Sequence, residues 1–251
     1  MKSIKIKSCI KSVDIVSRCE YNSNLKSVLD IPSLKIPYYE EAIIPVGKWK
    51  PVNGDSLSDN MLKCIDDTKY YCTVSINVLP YRIFNSIKNA YNYDDHEGAI
   101  KLAKDFFSKK YECRHCDLNG GISEMAGMKP TVSYNSFDGK HVGLHVDSWD
   151  RLEIKDRHRA YNRLSINLGE EARYFMFVPL CLHSLDCNKY EIKNATDFGR
   201  FFIKDKNPVV VRVKISPGEY YIAPTENCIH DGSSLGIKSL DITLSLRGKI
   251  W

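Results

Sequence analysis

Two segments in the first half of the chain place apolar residues at helical spacing. They span 81–92 and 96–109. The apolar positions are Ile83, Phe84, Ile87 and Ala90 in the first segment, and Ala99, Ile100, Leu102, Ala103, Phe106 and Phe107 in the second. This spacing follows the helical period of about 3.6 residues, so it predicts two α-helices. Asp94 or Asp95 can cap the second, because an Asp side chain accepts hydrogen bonds from the free N–H groups there.

Near residue 130 the pattern changes to short runs in which apolar and polar residues alternate. Alternation of this kind is typical of half-buried antiparallel strands. The runs are 130–137, 141–146, 160–168, 172–180, 209–215, 219–222 and 240–247, with a short helical insert at 194–202. Many short strands favour a sandwich or small barrel over a parallel sheet.

Helices followed by strands predict an α+β protein. We expect 130–251 to form a jelly-roll core and 1–129 to form a helix-containing supporting part. The 251 residues, of which 43% are hydrophobic, suffice for one sizeable core. The expectation is therefore a single domain spanning 1–251.

Charge and targeting features bear on the class of partner and on the cellular location. The formal net charge is +5, and Lys and Arg are spread along the whole chain, which gives no indication of a nucleic-acid partner. The N-terminal segment alternates Lys with Ile and Val instead of forming an apolar signal region. No apolar run approaches the roughly 18 residues of a membrane span. We therefore expect a cytoplasmic protein.

The nine cysteines are expected to be mostly free thiols, since a chain of this length in a reducing compartment needs no disulfide staples. The alternative is a structural zinc site. Cys113 and Cys116 would supply one half of that site, and Cys181, His183 and Cys187 the other. The second group lacks the regular spacing of a zinc knuckle, which favours free thiols.

The segment 143–149 contains a candidate metal-binding pair. His145 and Asp147 are two residues apart, so on a strand both side chains point to the same side. A third ligand would complete a set of two histidines and one carboxylate, which leaves positions open for O2 and a chelating co-substrate. His230 suits this role, because the turns and strand at 217–230 place it on the next strand of a roll. The three residues are predicted to bind a metal and to be catalytic.

The run at 240–247 alternates strictly and has one polar face. That face consists of Asp241, Thr243, Ser245 and Arg247. It is either solvated or lines the inside of a barrel. In the second case Arg247 can bind a carboxylate through two hydrogen bonds, with Ser245 or Thr243 beside it.

His145-x-Asp147, His230 and a basic residue on the following strand together resemble the iron(II)/2-oxoglutarate-dependent oxygenase superfamily. The resemblance covers roughly 130–251 and implies a double-stranded β-helix, which is a distorted jelly roll. It implies Fe(II) held by the three ligands, 2-oxoglutarate as co-substrate and O2 as oxidant. Arg247, 17 residues after His230, would hold the distal carboxylate of the co-substrate, and Lys238, 8 residues after His230, is the competing anchor.

The resemblance also implies a reaction class. Related halogenases replace the iron-binding carboxylate with a small residue, whereas this chain keeps Asp147. Hydroxylation of an unactivated C–H bond, or desaturation or cyclisation by the same oxidant, is therefore expected. The expected substrate is a small molecule such as an amino acid or a natural-product intermediate.

Further candidate residues surround the ligands in sequence. Arg163 and Asn167 share the polar face of 160–168 and would contact the co-substrate if that face looks inward. The residues at a barrel mouth commonly contact substrate, and here these are Trp149, Asp150 and Arg151. Asp231, next to His230, is a candidate to orient that imidazole or to contact substrate.

His141 leaves a different class of protein open. Together with His145 it could imitate the histidine pair of a cupin-like binding or scaffold protein, although a partly buried histidine is the simpler interpretation. An AlkB-like nucleic-acid demethylase is the other alternative, because its co-substrate arginine has an offset similar to that of Arg247. The sequence indicates neither the substrate nor the oligomeric state.

Overall fold

The computed structural model describes residues 5–8, 16–52, 73–111, 118–186 and 194–250. Within these ranges the helices are α1 (Tyr81–Asn92), α2 (His96–Lys110) and α3 (Ala195–Lys206). The strands are β1 (Lys5–Ser8), β2 (Cys19–Asn22), β3 (Leu25–Ser27), β4 (Ile43–Pro45), β5 (Lys50–Pro51), β6 (Thr73–Val78), β7 (Asn119–Ala126), β8 (Tyr134–Asn135), β9 (Lys140–His141), β10 (Asn162–Asn167), β11 (Arg173–Phe177), β12 (Val210–Ile215), β13 (Glu219–Ala223), β14 (His230–Ser233) and β15 (Leu240–Gly248). The chain is a mixed α/β protein.

Two sheets contain most of these strands. The larger has the order β1-β6-β13-β10-β15-β7, and the smaller has the order β14-β11-β12-β2-β5. Neighbouring strands in both are antiparallel, except that β1 pairs with β6 in parallel. Val74 and Ile76 of β6 share a buried cluster with Phe175 and Phe177 of β11. The two sheets therefore pack against each other through their inner side chains.

The predicted helices are confirmed, with small shifts at their ends. Asp95 caps α2, since its side chain accepts a hydrogen bond of 2.8 Å from Gly98 N. Asn194 caps α3 in the same way, and this helix continues four residues beyond the predicted end at 202. α1 and α2 pack on the outer face of the larger sheet, where Phe107 is fully buried. Within the described ranges, no helix combines the length and apolar character needed to cross a bilayer.

Alternation was a reliable guide for β10 and β15. Leu164 and Leu244 pack beneath the helices. Ser165 and Ser245 lie on the opposite face, where their hydroxyl oxygens are 2.8 Å apart. Thr243 and Ser245 of this face line a cavity between the sheets, so the middle of the polar side of the last strand is not a solvated surface. The predicted strands at 172–180, 209–215 and 219–222 correspond to β11, β12 and β13.

The predicted strands at 130–137 and 141–146 are wrong as continuous elements. The structure has only the two-residue strands β8 and β9 there, followed by an isolated bridge at His145. Gly143 interrupts the second run with a φ of +74°, a conformation that favours glycine. A Cβ at this position would lie 2.8 Å from Ile43 O, so the backbone approach also requires glycine.

The first 129 residues contain strands that the sequence patterns did not predict, in addition to the predicted helices. β1, β6 and β7 extend the larger sheet, and β2 and β5 extend the smaller one. β2 and β5 span four and two residues, which is too short for alternation to be recognised. The single domain spanning 1–251 stays a prediction.

The cysteines follow the expectation in part. Cys228 is a buried free thiol, as expected. Cys181 is disulfide-bonded, so the free thiol expected there is wrong, because spacing in sequence does not report which sulfur atoms meet. A sulfur atom in a disulfide offers no thiolate to zinc. The remaining zinc candidates, Cys113, Cys116 and Cys187, lie outside the described residues.

Candidate metal centre

His145 and His230 meet through their backbones. His145 N donates to His230 O at 3.0 Å, and His230 N donates to His145 O at 2.8 Å. This antiparallel bridge places the side chains next to each other, with ring centroids 4.5 Å apart. Two histidines that are distant in sequence thus form one pair.

Asp147 lies beside this pair. Its main-chain carbonyl accepts a hydrogen bond of 2.6 Å from Arg157 Nη1, which fixes the backbone there. Asp147 Oδ1 is 3.6 Å from His145 Nε2, and Oδ2 is 3.8 Å from His230 Nε2. One ligand atom from each of the three buried residues lies within 4.8 Å of the others. The three residues could hold a metal ion.

Main-chain carbonyl groups orient both imidazoles. His145 Nδ1 is 2.9 Å from Gly143 O, and His230 Nδ1 is 3.2 Å from Cys228 O. With hydrogen on Nδ1, each Nε2 keeps its lone pair for a metal. In the described part of the chain, His230 Nε2 is buried without a hydrogen-bond partner, and a bound cation would satisfy it. Two imidazoles and a carboxylate are a donor set that suits iron(II) and related divalent metals.

Neighbouring charges fix the protonation of these residues. Burial alone would raise the pKa of Asp147, but Arg163, His230 and His145 outweigh it and hold that pKa well below its usual range. Burial lowers the pKa of His230 to about 4. At His145 burial is outweighed by Asp147 and Asp231, which raise the pKa to about 10. A divalent cation at this site would therefore replace a proton on His145.

Asp231 supports the site from behind. Its Oδ1 accepts hydrogen bonds of 3.0 Å from Ser133 N and 2.7 Å from Gly232 N. Its Oδ2 is 3.7 Å from His145 Nδ1. Asp231 is fully buried and is not among the residues that line the cavity, and its predicted substrate contact stays a prediction. It faces His145, whereas the sequence pointed to its neighbour His230.

The three candidate ligands line a cavity of about 560 Å³ between the sheets. Arg163 and Ser165 of β10 and Thr243 and Ser245 of β15 contribute its polar wall. Of the two orientations that the sequence left open for Arg163 and Ser245, the structure therefore has the inward one. These groups can form hydrogen bonds with a polar molecule bound next to the metal.

Arg173 lines the same cavity and was not predicted. Its Nε is 2.9 Å from Asp241 Oδ1, and both residues are buried. Gly232 leaves room for the guanidinium, because a Cβ there would lie 2.6 Å from Arg173 Nη2. The available signal was strand phase, since Arg173 is two residues before the buried Phe175.

Arg247 has other partners than the predicted co-substrate. Its Nη2 lies 2.6 Å from Asp150 Oδ1 and also contacts Glu226 Oε1. The guanidinium lies 5.5 Å from the ring centroid of Tyr161, and Arg247 is not among the residues that line the metal cavity. Arg247 thus compensates the buried carboxylate of Glu226. Sequence reasoning missed Glu226, because an isolated Glu in a loop gives no pattern.

Three further candidates also lie outside the metal cavity. The amide of Asn167 donates to two main-chain carbonyl groups at 2.9 and 3.0 Å, so it joins strand ends. Lys238 is exposed in the turn before β15. His141 is buried between the rings of Tyr38 and Tyr134, and the candidate metal group found among the described residues does not include it.

The loop after Asp147 borders a second cavity of about 530 Å³. Trp149 lines this cavity and is 67% exposed. Arg163 and Ser245 line both cavities, so the two are adjacent. Arg151 is exposed and lines neither of them. Of the predicted substrate contacts, Trp149 is therefore the one whose position fits the role.

Comparisons with known proteins add little to this picture. No protein-family model matches the chain. No curated protein matches it either. Among solved structures, acireductone dioxygenase from Bacillus anthracis with a cadmium ion in its active centre aligns with a TM-score of 0.33 and 9% identity, over 69% of this chain and 76% of that one. A likeness of this degree supports no conclusion about the fold or activity of this chain.

Proposed function

We propose that this protein is a non-haem iron(II), 2-oxoglutarate-dependent oxygenase that hydroxylates a small molecule. The observation that carries the proposal is the convergence of His145, Asp147 and His230 on one point at a polar cavity. The ligand set leaves several coordination positions for O2 and a chelating keto acid. Bound iron(II) would supply the activation of O2.

The residues around the ligands have supporting roles in this proposal. Arg163 holds the Asp147 carboxylate through a contact of 2.8 Å. Asp231 and the carbonyl of Gly143 fix the ring of His145. Fixed ligand orientation favours metal binding, because less freedom is lost when the ion enters.

We assign the co-substrate anchor to Arg173 instead of Arg247. Arg173 lines the cavity of the metal ligands, whereas Arg247 is paired with Asp150 and Glu226. Asp241 holds the guanidinium of Arg173, and the remaining N–H groups can bind a carboxylate in a bidentate manner. Hydroxyl groups of Thr243 and Ser245 lie on the wall of the same cavity.

The proposed reaction balances without another oxidant. One oxygen atom of O2 enters the C–H bond of the substrate and forms the alcohol. The other enters the succinate formed when 2-oxoglutarate loses its C1 carboxyl group as CO2. The buried position of the ligands keeps this chemistry away from bulk water.

We also propose that the fold is a double-stranded β-helix. In chain order its eight elements would be β7, the His145 segment, β10, β11, β12, β13, β14 and β15. Four of these lie side by side in the larger sheet in the order β7-β15-β10-β13. In the smaller sheet β14, β11 and β12 are neighbours, and the His145 segment joins β14 through its bridge to His230. The support is this repeated passage of the chain between two facing sheets, which is the winding of a roll.

The alternatives have less support from the described residues. The cupin-like interpretation needed His141 as a ligand, and His141 stacks with Tyr38 and Tyr134. The AlkB-like interpretation depended on the offset of Arg247, which pairs with Asp150. A small-molecule substrate therefore remains the proposal.

The test is turnover by protein purified without oxygen and loaded with iron(II). We expect one equivalent of bound iron and formation of succinate from 2-oxoglutarate. Asp147→Ala and His230→Ala should lose both properties, whereas His96→Ala, which changes a half-exposed histidine on α2, should keep them. Full succinate formation by Asp147→Ala would overturn the proposal.

A further inference from the structure

The second cavity continues from the candidate metal centre along β7. Arg163 and Ser245 belong to the walls of both cavities, and Gly121 and Trp149 belong to the second alone. A group bound in the second cavity therefore lies beside the metal ligands. Its volume of about 530 Å³ is large enough for a ring system.

The charges on the wall of this cavity are already compensated. Its charged lining residues, among those that the structure describes, are Arg163 and Arg247. Arg163 pairs with Asp147, and Arg247 pairs with Asp150 and Glu226. An ionic group entering here would lose hydration without gaining an unpaired counter-charge, which is unfavourable. An uncharged group avoids this cost.

Aromatic surface is available at the same place. The indole of Trp149 is 67% exposed at the cavity wall. The ring centroid of Tyr161 lies 5.5 Å from the guanidinium of Arg247, which lines the same cavity. A flat ring can pack on such a surface with a gain beyond simple burial of area.

Gly121 keeps the cavity open. A Cβ built at Gly121 meets no atom within 4 Å, whereas a Cβ at the neighbouring Gly120 would lie 2.5 Å from Leu246 Cδ2. A side chain at 121 would therefore extend into the cavity without a backbone clash. The size of the bound group is thus controlled by a position that tolerates substitution.

We propose that the second cavity binds an uncharged aromatic part of the substrate, with Trp149 as the packing surface and Gly121 as the residue that sets its size. This inference rests on the proposed oxygenase function, and it replaces the expected amino-acid-like substrate with one that presents a neutral ring beside the metal.

The test measures binding of N-phenylnaphthylamine, an uncharged aromatic fluorophore, to the full chain. Gly121→Phe should weaken binding by more than about tenfold, because the new side chain occupies the cavity. Ala126→Phe is the matched control, since it adds the same side chain to β7 at an exposed position that lines neither cavity. Trp149→Ala should weaken binding about fivefold, and Phe137→Ala, at another exposed aromatic residue, should not.

The charged analogue anilinonaphthalene sulfonate should bind at least about tenfold more weakly than the neutral probe. Unchanged probe binding in both Gly121→Phe and Trp149→Ala, or equal binding of the two probes, would overturn the inference. Succinate formation is measured on the same preparations. The expected probe pattern without succinate formation would refute the oxygenase proposal while the cavity assignment stands, and succinate formation without the pattern would refute the cavity assignment alone.

Discussion

Arg163 Nη2 lies 2.8 Å from Asp147 Oδ2, on the wall of the candidate metal cavity. The contact joins β10 to the loop that carries the carboxylate ligand. Arg163 also contributes to the low pKa of Asp147, where it acts against the effect of burial. The carboxylate is therefore ionised before a metal ion arrives.

Replacement of Arg163 by Met should destabilise the metal-free protein. The change removes the nearest charged partner of the buried Asp147 carboxylate, and breaking a buried pair in this way commonly costs about 3 kcal/mol or more. Urea unfolding measures the loss. Arg82→Met, at an exposed position on α1, should change the free energy of unfolding by less than about 0.5 kcal/mol. Similar losses in the two variants would show that the Arg163–Asp147 contact contributes nothing.

The metal-free protein should lose stability as the pH rises above neutrality. Although burial opposes protonation of His145, Asp147 and Asp231 raise its pKa to about 10. An unfolded histidine titrates near pH 6.5, so the stabilisation is complete below about pH 6.5 and is lost as the pH rises through about 10. Urea unfolding of metal-free protein should show this decrease, and His145→Gln should remove the part that His145 contributes. An identical pH profile in the wild type and the variant would contradict the prediction.

Much of the fold could be predicted where periodicity is long enough to read. α2 spans 15 residues with a cap at Asp95, and β15 spans nine residues with strict alternation. β2 and β5 are too short to carry a period, and their pairing depends on contacts between distant segments. The strand expected at 141–146 failed at Gly143, whose conformation depends on the close approach of Ile43.

The site was predictable to the extent that its residues follow strand phase. His145, Asp147 and His230 converge although the strand expected around His145 is reduced to one bridge. The partners of Arg247 and Arg173 could not be predicted, because they come from distant loops and strands. A lone arginine in a strand can serve a ligand or compensate a buried carboxylate, and only its neighbours in space distinguish the two.

Replacement of Asp231 by Asn should weaken metal binding by about tenfold or more, because changes in groups that orient a metal-binding histidine have effects of this size. Asn keeps the oxygen that accepts from Ser133 N and Gly232 N but removes the charge 3.7 Å from His145 Nδ1. Competition with a chelator measures the affinity. Asp105→Asn on the exposed face of α2 is the control. Unchanged metal affinity in Asp231→Asn would show that the charge of Asp231 does not affect metal binding and that the residue only positions the backbone of Ser133 and Gly232.

The proposed co-substrate anchor, Arg173, differs from Arg247 and Lys238, the two candidates that the sequence offered. Arg173→Lys keeps a positive charge next to Asp241 but loses the planar fork that binds a carboxylate through two hydrogen bonds. We expect the KM for 2-oxoglutarate to rise by more than about tenfold, which corresponds to about 1.4 kcal/mol of lost binding. Iron binding should be retained, because the ion pair of Arg173 is with Asp241 and not with a metal ligand.

Arg247→Met should lower the stability of the protein and leave the KM for 2-oxoglutarate nearly unchanged. Loss of Arg247 removes the charged partner of the buried Glu226, which keeps only the hydrogen bonds from Asp150 N. The free energy of unfolding should therefore fall by about 3 kcal/mol, while the KM for 2-oxoglutarate changes less than about threefold. Steady-state kinetics and urea unfolding of both variants separate the two roles. A large rise in KM in Arg247→Met with little change in Arg173→Lys would return the anchor to Arg247. In that case Arg247 would have to exchange Glu226 for the co-substrate on binding, and Glu226 would take up a proton, because a buried carboxylate without a charged partner is strongly destabilised.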